Sequence, residues 1–193
     1  MFEHLKNYHI ILASNSPRRH ELLGGLGIPF EVKVLPDISE TYPDTLPVDE
    51  TAQYIAVEKA AAYCDSMQSD DLVITADTVV ICGDEVLGKP ADEQDACRML
   101  RLLSGRTHHV ITGVCISTLG RQRAFSVRTE VTFKALSDDE IDYYVRNYRP
   151  MDKAGAYGIQ EWIGYIGVTG LNGSYFNVMG LPVQRIYEEL RHF

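Results

Sequence analysis

Nothing in the sequence approaches the roughly 18 consecutive apolar residues that a membrane-spanning helix needs, and the opening MFEHLKNYH has no apolar signal core. The expectation is a cytoplasmic protein with no membrane partner. Basic charge is also scarce: 18 Lys and Arg stand against 27 Asp and Glu, a formal net charge of -9, and no Lys- or Arg-rich run compensates. This argues against a general binder of DNA or RNA polymers, which presents a basic face. A small anionic ligand is admitted only where a local cluster of cations, or a metal, overturns the global field. The four cysteines (Cys64, Cys82, Cys97, Cys115) form no CxxC and no zinc-spaced pairing with the six histidines, so they read as buried thiols in a reducing compartment. Repeats, low-complexity tracts and Gly/Ser linkers are missing too. The 193 residues are therefore read as one domain, 1–193, long enough for a proper hydrophobic core.

Several nucleotide and hydrolase signatures fail. Gly88-Lys89 is followed by Pro90, with no Ser or Thr, so there is no Walker A loop; GLNGSYFNVMGLP is glycine-rich but not spaced as GxGxxG; HExxH and GxSxG do not occur. What is present is a mixture of helical and strand periodicities. Helical spacing runs over 49–67, 92–104, 138–148 and 182–192, the third opening on the capping box SDDE (137–140) and the last on Pro182. Strands are expected at 10–12, at 71–82 turning through Gly83-Asp84 into EVL, and at 108–119 turning through Gly120-Arg121 into a long partner. In that partner Phe125, Val127, Thr129, Val131 and Phe133 share one face, and Ser126, Arg128, Glu130, Thr132 and Lys134 the other. Such alternation implies an antiparallel strand with one wet side. Helices interleaved with strands joined partly by hairpins imply an α/β fold with a mixed sheet.

The stretch ASNSPRRHELLGGLG (13–27) follows a short apolar strand and continues at helical spacing through Leu22, Leu23 and Leu26 to Gly27. Ser16 suits the N-cap and Pro17 the first helical position. Arg18 and Arg19 then fall at the positive end of the helix dipole, where cations are disfavoured unless an anion such as phosphate lies against them. Two solvated arginines on a surface turn is the competing explanation. Asp77 interrupts Leu72, Val73, Ile74, Ala76, Val79, Val80 and Ile81, a run that otherwise reads as a strand covered on both faces. A buried carboxylate needs compensation, which a metal, a cationic side chain or a substrate proton supplies, with a plain structural salt bridge as the alternative. Lys59 poses the same problem with opposite sign, falling near the middle of the apolar stripe of Ala52, Ile55, Ala56, Ala60 and Tyr63. It either snorkels or projects into a cleft, where it can hold a phosphate. Lys89 lies on a turn after the hairpin that contains Asp77. In MDKAGAYGIQ (151–160) small residues allow close approach of the backbone to a ligand, and the Gln160 amide can read hydrogen-bonding groups on a base edge, although composition alone makes this only a loop.

Together these segments resemble the Maf family of nucleoside triphosphate pyrophosphatases, once described as septum-formation inhibitors. The resemblance rests on ordered motifs: ASNSPRRHELL, PDISE (36–40), VEKA (57–60), ADTVV (76–80), LGKP (87–90), DKAGAYGIQ (152–160) and SYFNVMGLP (174–182). It implies a mixed, twisted sheet flanked by helices, with two lobes and a cleft, similar to the inosine triphosphate pyrophosphatases and often dimeric. It implies cleavage of a nucleoside triphosphate between the α and β phosphates, giving monophosphate and pyrophosphate with a divalent cation, Mg or Mn. DKAGAYGIQ resembles the subgroup acting on dTTP and UTP, and modified pyrimidines are compatible with it. By motif, Asp77 matches the family's proposed general base, while Arg18, Thr78 and Gln160 match positions tied to substrate selection. Ser14, Arg19, Glu40, Lys59 and Lys89 match the polar lining of the phosphate and metal site. Glu40 is the expected metal ligand with Asp77, and Ser39 stands where an acidic residue is frequent. Whether Asp77 is base or metal ligand stays open. A nucleotide-binding regulator of division or septation without catalysis is the alternative.

Overall fold

The computed structural model describes residues 3–193. In chain order the elements are β1 (His9–Leu12), α1 (Pro17–Gly24), β2 (Glu31–Val32), α2 (Thr51–Ala61), β3 (Asp71–Cys82), β4 (Glu85–Leu87), α3 (Glu93–Leu103), β5 (Thr107–Ser117), β6 (Gln122–Phe133), α4 (Asp138–Tyr148), α5 (Trp162–Gly167), β7 (Val168–Asn172), α6 (Tyr175–Met179) and α7 (Val183–Arg191), with 3-10 turns at Glu3–Asn7, Cys64–Ser66 and Ala154–Ala156. The seven strands form one mixed sheet in the order β2-β1-β3-β5-β6-β7, with β4 also on β3. β1 is parallel to β2 and β3, whereas β3 with β4 and β6 with β7 are antiparallel. The α/β fold with a mixed sheet flanked by helices is therefore as expected from the alternation of periods.

Contacts divide the chain into two units: 1–77 with 112–127 and 180–193, and 78–111 with 128–179. In the first unit α2 is seated on the strands by small residues. A side chain at Gly113 on β5 would place its Cβ 2.3 Å from the backbone of Ala52, so only glycine admits the helix here. The buried Thr75 hydroxyl donates to the Ala56 carbonyl at 2.6 Å, and Ala56 and Ala60 pack with Cys115. These contacts fix the rotation of α2 and hence the direction of Lys59. In the second unit α3 and α4 contribute Ala96, Leu100, Leu103, Ile141, Tyr144 and Val145 to a core completed by Val80, Val131 and Phe133. The capping box of α4 is formed, the Ser137 hydroxyl accepting from the Glu140 N–H and the Glu140 carboxylate from the Ser137 N–H. Along β6, Phe125, Thr129, Val131 and Phe133 are buried and Val127, expected on the same face, is half-buried, while Ser126, Arg128, Glu130 and Thr132 on the other face are exposed or half-buried.

Four expectations need correction. The helix foreseen over 49–67 stops at Ala61, because Tyr63 turns inward: its hydroxyl donates to the Lys33 carbonyl and accepts from the Leu35 N–H. That tertiary anchor outweighs helix propensity, and only a 3-10 turn follows. The first helix ends at Gly24, two residues before Leu26, although Gly27 does take the left-handed conformation (φ 69°). Ser16 occupies the N-cap position without a side-chain cap bond; instead its N–H donates to the Ser14 hydroxyl at 3.2 Å. Finally, the thiols are not uniformly buried. Cys64 is exposed and Cys97 half-buried, since the 3-10 turn that carries Cys64 lies past the end of α2. The segment 162–179, not among the expected elements, holds α5, β7 and α6.

Candidate functional site

Strand β3 is buried at every position except two adjacent ones, Asp77 and Thr78, which are only partly exposed in an otherwise covered run. The Asp77 side chain is 13% exposed, and its Oδ1 lies 2.8 Å from Lys59 Nζ. The same ammonium lies 2.6 Å from Glu40 Oε1, on the segment after β2, so one cation joins two carboxylates. Burial pushes the Asp77 carboxyl above the usual carboxylate range; Lys59 and Arg19 pull it down, and Glu40 adds to the rise. The outcome is a carboxylate more basic than one in water, which is what a proton acceptor requires.

Arg19, in the first turn of α1, does two things at once. Its Nε donates to the Gly180 carbonyl at 2.8 Å and its Nη1 to the Ala76 carbonyl at 2.9 Å. The guanidinium is thereby tied to the residue immediately before Asp77 and to the end of the SYFNVMGLP motif. Burial lowers its basicity and Asp77 supports the charge, but a guanidinium remains protonated. Arg18 is half-buried beside it, and Ser14 is buried at the end of β1. The first unit thus brings Ser14, Arg18, Arg19, Glu40, Lys59 and Asp77 onto neighbouring segments. The structural salt bridge considered for Asp77 is present, and it is made with a second residue of the expected site.

The remaining expected residues belong to the second unit. Thr78 is half-buried at its start, Lys89 is exposed on the bend after β4, and Gln160 is half-buried. The Gln160 Oε1 atom is itself buried and accepts no hydrogen bond, an orphan that a native fold usually does not tolerate without a ligand or water. The segment before it is tightly packed. Gly155 has φ 69° and a Cβ there would meet Val80 at 2.8 Å. Tyr157 is buried with its hydroxyl 2.8 Å from His108 Nε2. Sequence reasoning did not find the ionic group beneath this loop, in which Lys153 Nζ lies 2.8 Å from Asp152 Oδ1 and 3.1 Å from Glu161 Oε1, and Tyr144 donates to Glu161 Oε2. The available signal was Tyr144 at a core position of α4, between Ile141 and Val145, together with two opposite charges flanking a glycine-rich turn.

Could these residues hold a divalent cation? Among the described residues no group of three or more Asp, Glu, His or Cys side chains is placed to do so. Glu40 and Asp77 nevertheless converge on one cationic atom. A pair of carboxylates is a donor set that suits Mg²⁺, which keeps waters and takes its other ligands from substrate phosphates.

The family model described as Maf-like protein matches residues 9–193. The chain belongs to the Maf family. A dTTP/UTP pyrophosphatase of Phocaeicola vulgatus is 67% identical to this Maf chain over 191 residues, covering 99% of each. Proteins of the same name from Parabacteroides distasonis and Bacteroides fragilis are 58% and 56% identical, covering 100% and 99% of each chain. Among solved structures, a HAM1 protein from Coxiella burnetii aligns with 96% of the Maf chain and 100% of its own at 15% identity and a TM-score of 0.49. Among the described residues of the Maf chain no helix is long and apolar enough to cross a membrane.

Proposed function

We propose that the Maf chain hydrolyses dTTP and UTP to the nucleoside monophosphate and pyrophosphate. The observation that carries this reading is Lys59, held between Asp77 and Glu40 next to the Arg19-anchored end of α1. A triphosphate is strongly anionic and the protein carries a net charge of -9, so binding depends on a local concentration of cations. Arg18, Arg19 and Lys59 supply it, and the first turn of α1 adds backbone N–H donors beside Ser14. Asp77, with its raised basicity, takes the proton from the water that attacks the α phosphorus, and pyrophosphate leaves. Glu40 would hold Mg²⁺ or Mn²⁺ together with substrate phosphate oxygens, which leaves Asp77 as the base; the chemistry of the cation when bound is to polarise phosphoryl oxygens. Lys59 is then the internal cation that compensates the two carboxylates in the free protein.

The base specificity is read from Gln160. Uracil and thymine carry a donor at N3 between two carbonyl oxygens, so a glutamine amide pairs with both kinds of group; cytosine has a bare acceptor at N3. The orphan Gln160 oxygen fits the former and is repelled by the latter. Thr78 and Lys89 enter the reading by motif alone, as does the extension to a homodimer; the cytoplasmic location and the choice of free nucleotides over polymers carry over the expectations drawn from the lack of an apolar signal core and from the net charge of -9. A purely binding regulator is disfavoured, because the close relatives are named as enzymes. The test is a nucleotide panel with the pure protein and Mg²⁺ or Mn²⁺. Equal amounts of monophosphate and pyrophosphate, with dTTP and UTP leading in kcat/KM, are expected. Saturable binding without consumption, or release of orthophosphate, contradicts the proposal.

A further inference from the structure

The turn that carries Gln160 is closed by a side-chain hydroxyl from another element. Residues 158–161 form a tight turn in which the Glu161 N–H donates to the Gly158 carbonyl at 3.0 Å. Tyr144, fully buried on α4, donates from its hydroxyl to Glu161 Oε2 and accepts from the Gly158 N–H at 3.0 Å. One oxygen therefore grips both ends of the four-residue turn, with Gln160 between them. The other carboxylate oxygen of Glu161 is 3.1 Å from Lys153 Nζ, itself buried and also paired with Asp152. Gly158 leaves room for this pair, since a Cβ there would meet Glu161 Cδ at 2.9 Å and Lys153 Cε at 3.1 Å. Burial and the Glu161 carboxylate push the Tyr144 phenol far above its ordinary range, so it stays a protonated donor. Lys153, Glu161 and Tyr144 form no part of the phosphate chemistry above; the Lys153 ammonium, 9% exposed, and the Glu161 carboxylate, 21% exposed, carry a desolvation cost that their mutual pairing offsets.

We propose that Tyr144, with Glu161 and Lys153, is a positioning residue for Gln160: the closed turn holds the amide in one orientation and thereby sets the preference for uracil and thymine over cytosine. This rests on the reading of Gln160 as the residue that contacts the base. An amide free to rotate would offer its NH₂ group to cytosine N3 as readily as its oxygen to uracil N3–H, so discrimination depends on the turn as well as on the residue type.

The experiment compares kcat/KM for UTP and CTP in the full-length wild type, Gln160→Ala, Tyr144→Phe, the double variant and a control, Ile141→Val, which loosens the same helix without touching the hydroxyl. Tyr144→Phe is expected to reduce the UTP-to-CTP ratio about tenfold or more, corresponding to about 1.4 kcal/mol, mainly by raising KM for UTP. In the Gln160→Ala background it should change the ratio less than about twofold, the expected sign of one residue acting through another. Ile141→Val should leave the ratio unaltered. Glu161→Gln, which keeps an acceptor for Tyr144 but weakens the tie to Lys153, should give an intermediate ratio and serves if Tyr144→Phe does not fold. A ratio that collapses in Gln160→Ala but not in Tyr144→Phe or Glu161→Gln overturns the positioning role alone. A ratio unchanged in Gln160→Ala, or no wild-type preference for UTP over CTP, overturns the underlying reading of Gln160 as well.

Discussion

Lys59→Met keeps most of the stem that packs along α2 and deletes the ammonium that joins Asp77 to Glu40. At the observed separation of 2.8 Å, the Coulomb attraction between Lys59 and Asp77 is about 6 kcal/mol for an effective dielectric constant of about 20. Both side chains are 13% exposed, so solvent screens the pair little. The net value is smaller, because desolvation of the two charges opposes it and because Glu40, about half exposed, competes for the same nitrogen. A double-mutant cycle over Lys59→Met and Asp77→Asn, measured by urea unfolding at neutral pH, should return a coupling of about 2 to 3 kcal/mol. The double variant should accordingly be more stable than the sum of the single losses implies. Coupling within about 0.5 kcal/mol of zero would mean that the two groups do not compensate each other in the free protein, and the electrostatic reasoning built on them would fall.

His108 is buried among aromatic rings, and burial, with the neighbouring His109, lowers its pKa to about 4. The unfolded chain, with an ordinary value of about 6.5, therefore binds the proton more readily between the two values. Its contribution to stability is complete above about pH 6.5 and is lost as the pH falls toward about 4, by about 3 kcal/mol at most. His108→Gln should flatten this decline in a series of melts; an unchanged slope contradicts the assignment. Gly155→Ala forces an L side chain into a left-handed conformation and against Val80, and should cost about 2 to 3 kcal/mol in chemical unfolding. A loss below about 0.5 kcal/mol would show that the loop gives way easily. Hydrolysis in oxygen-18 water should label the monophosphate, and label found only in pyrophosphate would place the attack elsewhere.

Much of the architecture was legible because its local signals agree with its packing. The capping box at Ser137 and Glu140, the alternation along β6 and the hairpin turn at Gly83 all report local chemistry, and each appears where expected. Segments that escaped notice are set by tertiary contacts. Tyr63 leaves the helical line for two backbone partners more than 25 residues away in sequence. The helices and strand of 162–179 are short, and five or six residues do not display a period. For the candidate site, an acid in an apolar run and a lysine in an apolar stripe flagged Asp77 and Lys59 separately. That they compensate each other, with Glu40 as a third member, required the rotation of α2 imposed by Gly113 and Thr75. Arg19's grip on the Ala76 and Gly180 carbonyls and Tyr144's on the Gln160 turn join residues distant in sequence, and no local pattern encodes either.

The central claim is that Asp77 accepts the proton of the attacking water at a site built from Lys59, Glu40 and Arg19. Its most direct test is the turnover of dTTP and UTP by Asp77→Asn, which preserves shape and removes charge, with circular dichroism to show that the fold is retained. Loss of at least about two orders of magnitude in kcat is expected for a positioned base. Turnover within a few-fold of wild type, in a folded variant, would contradict the account.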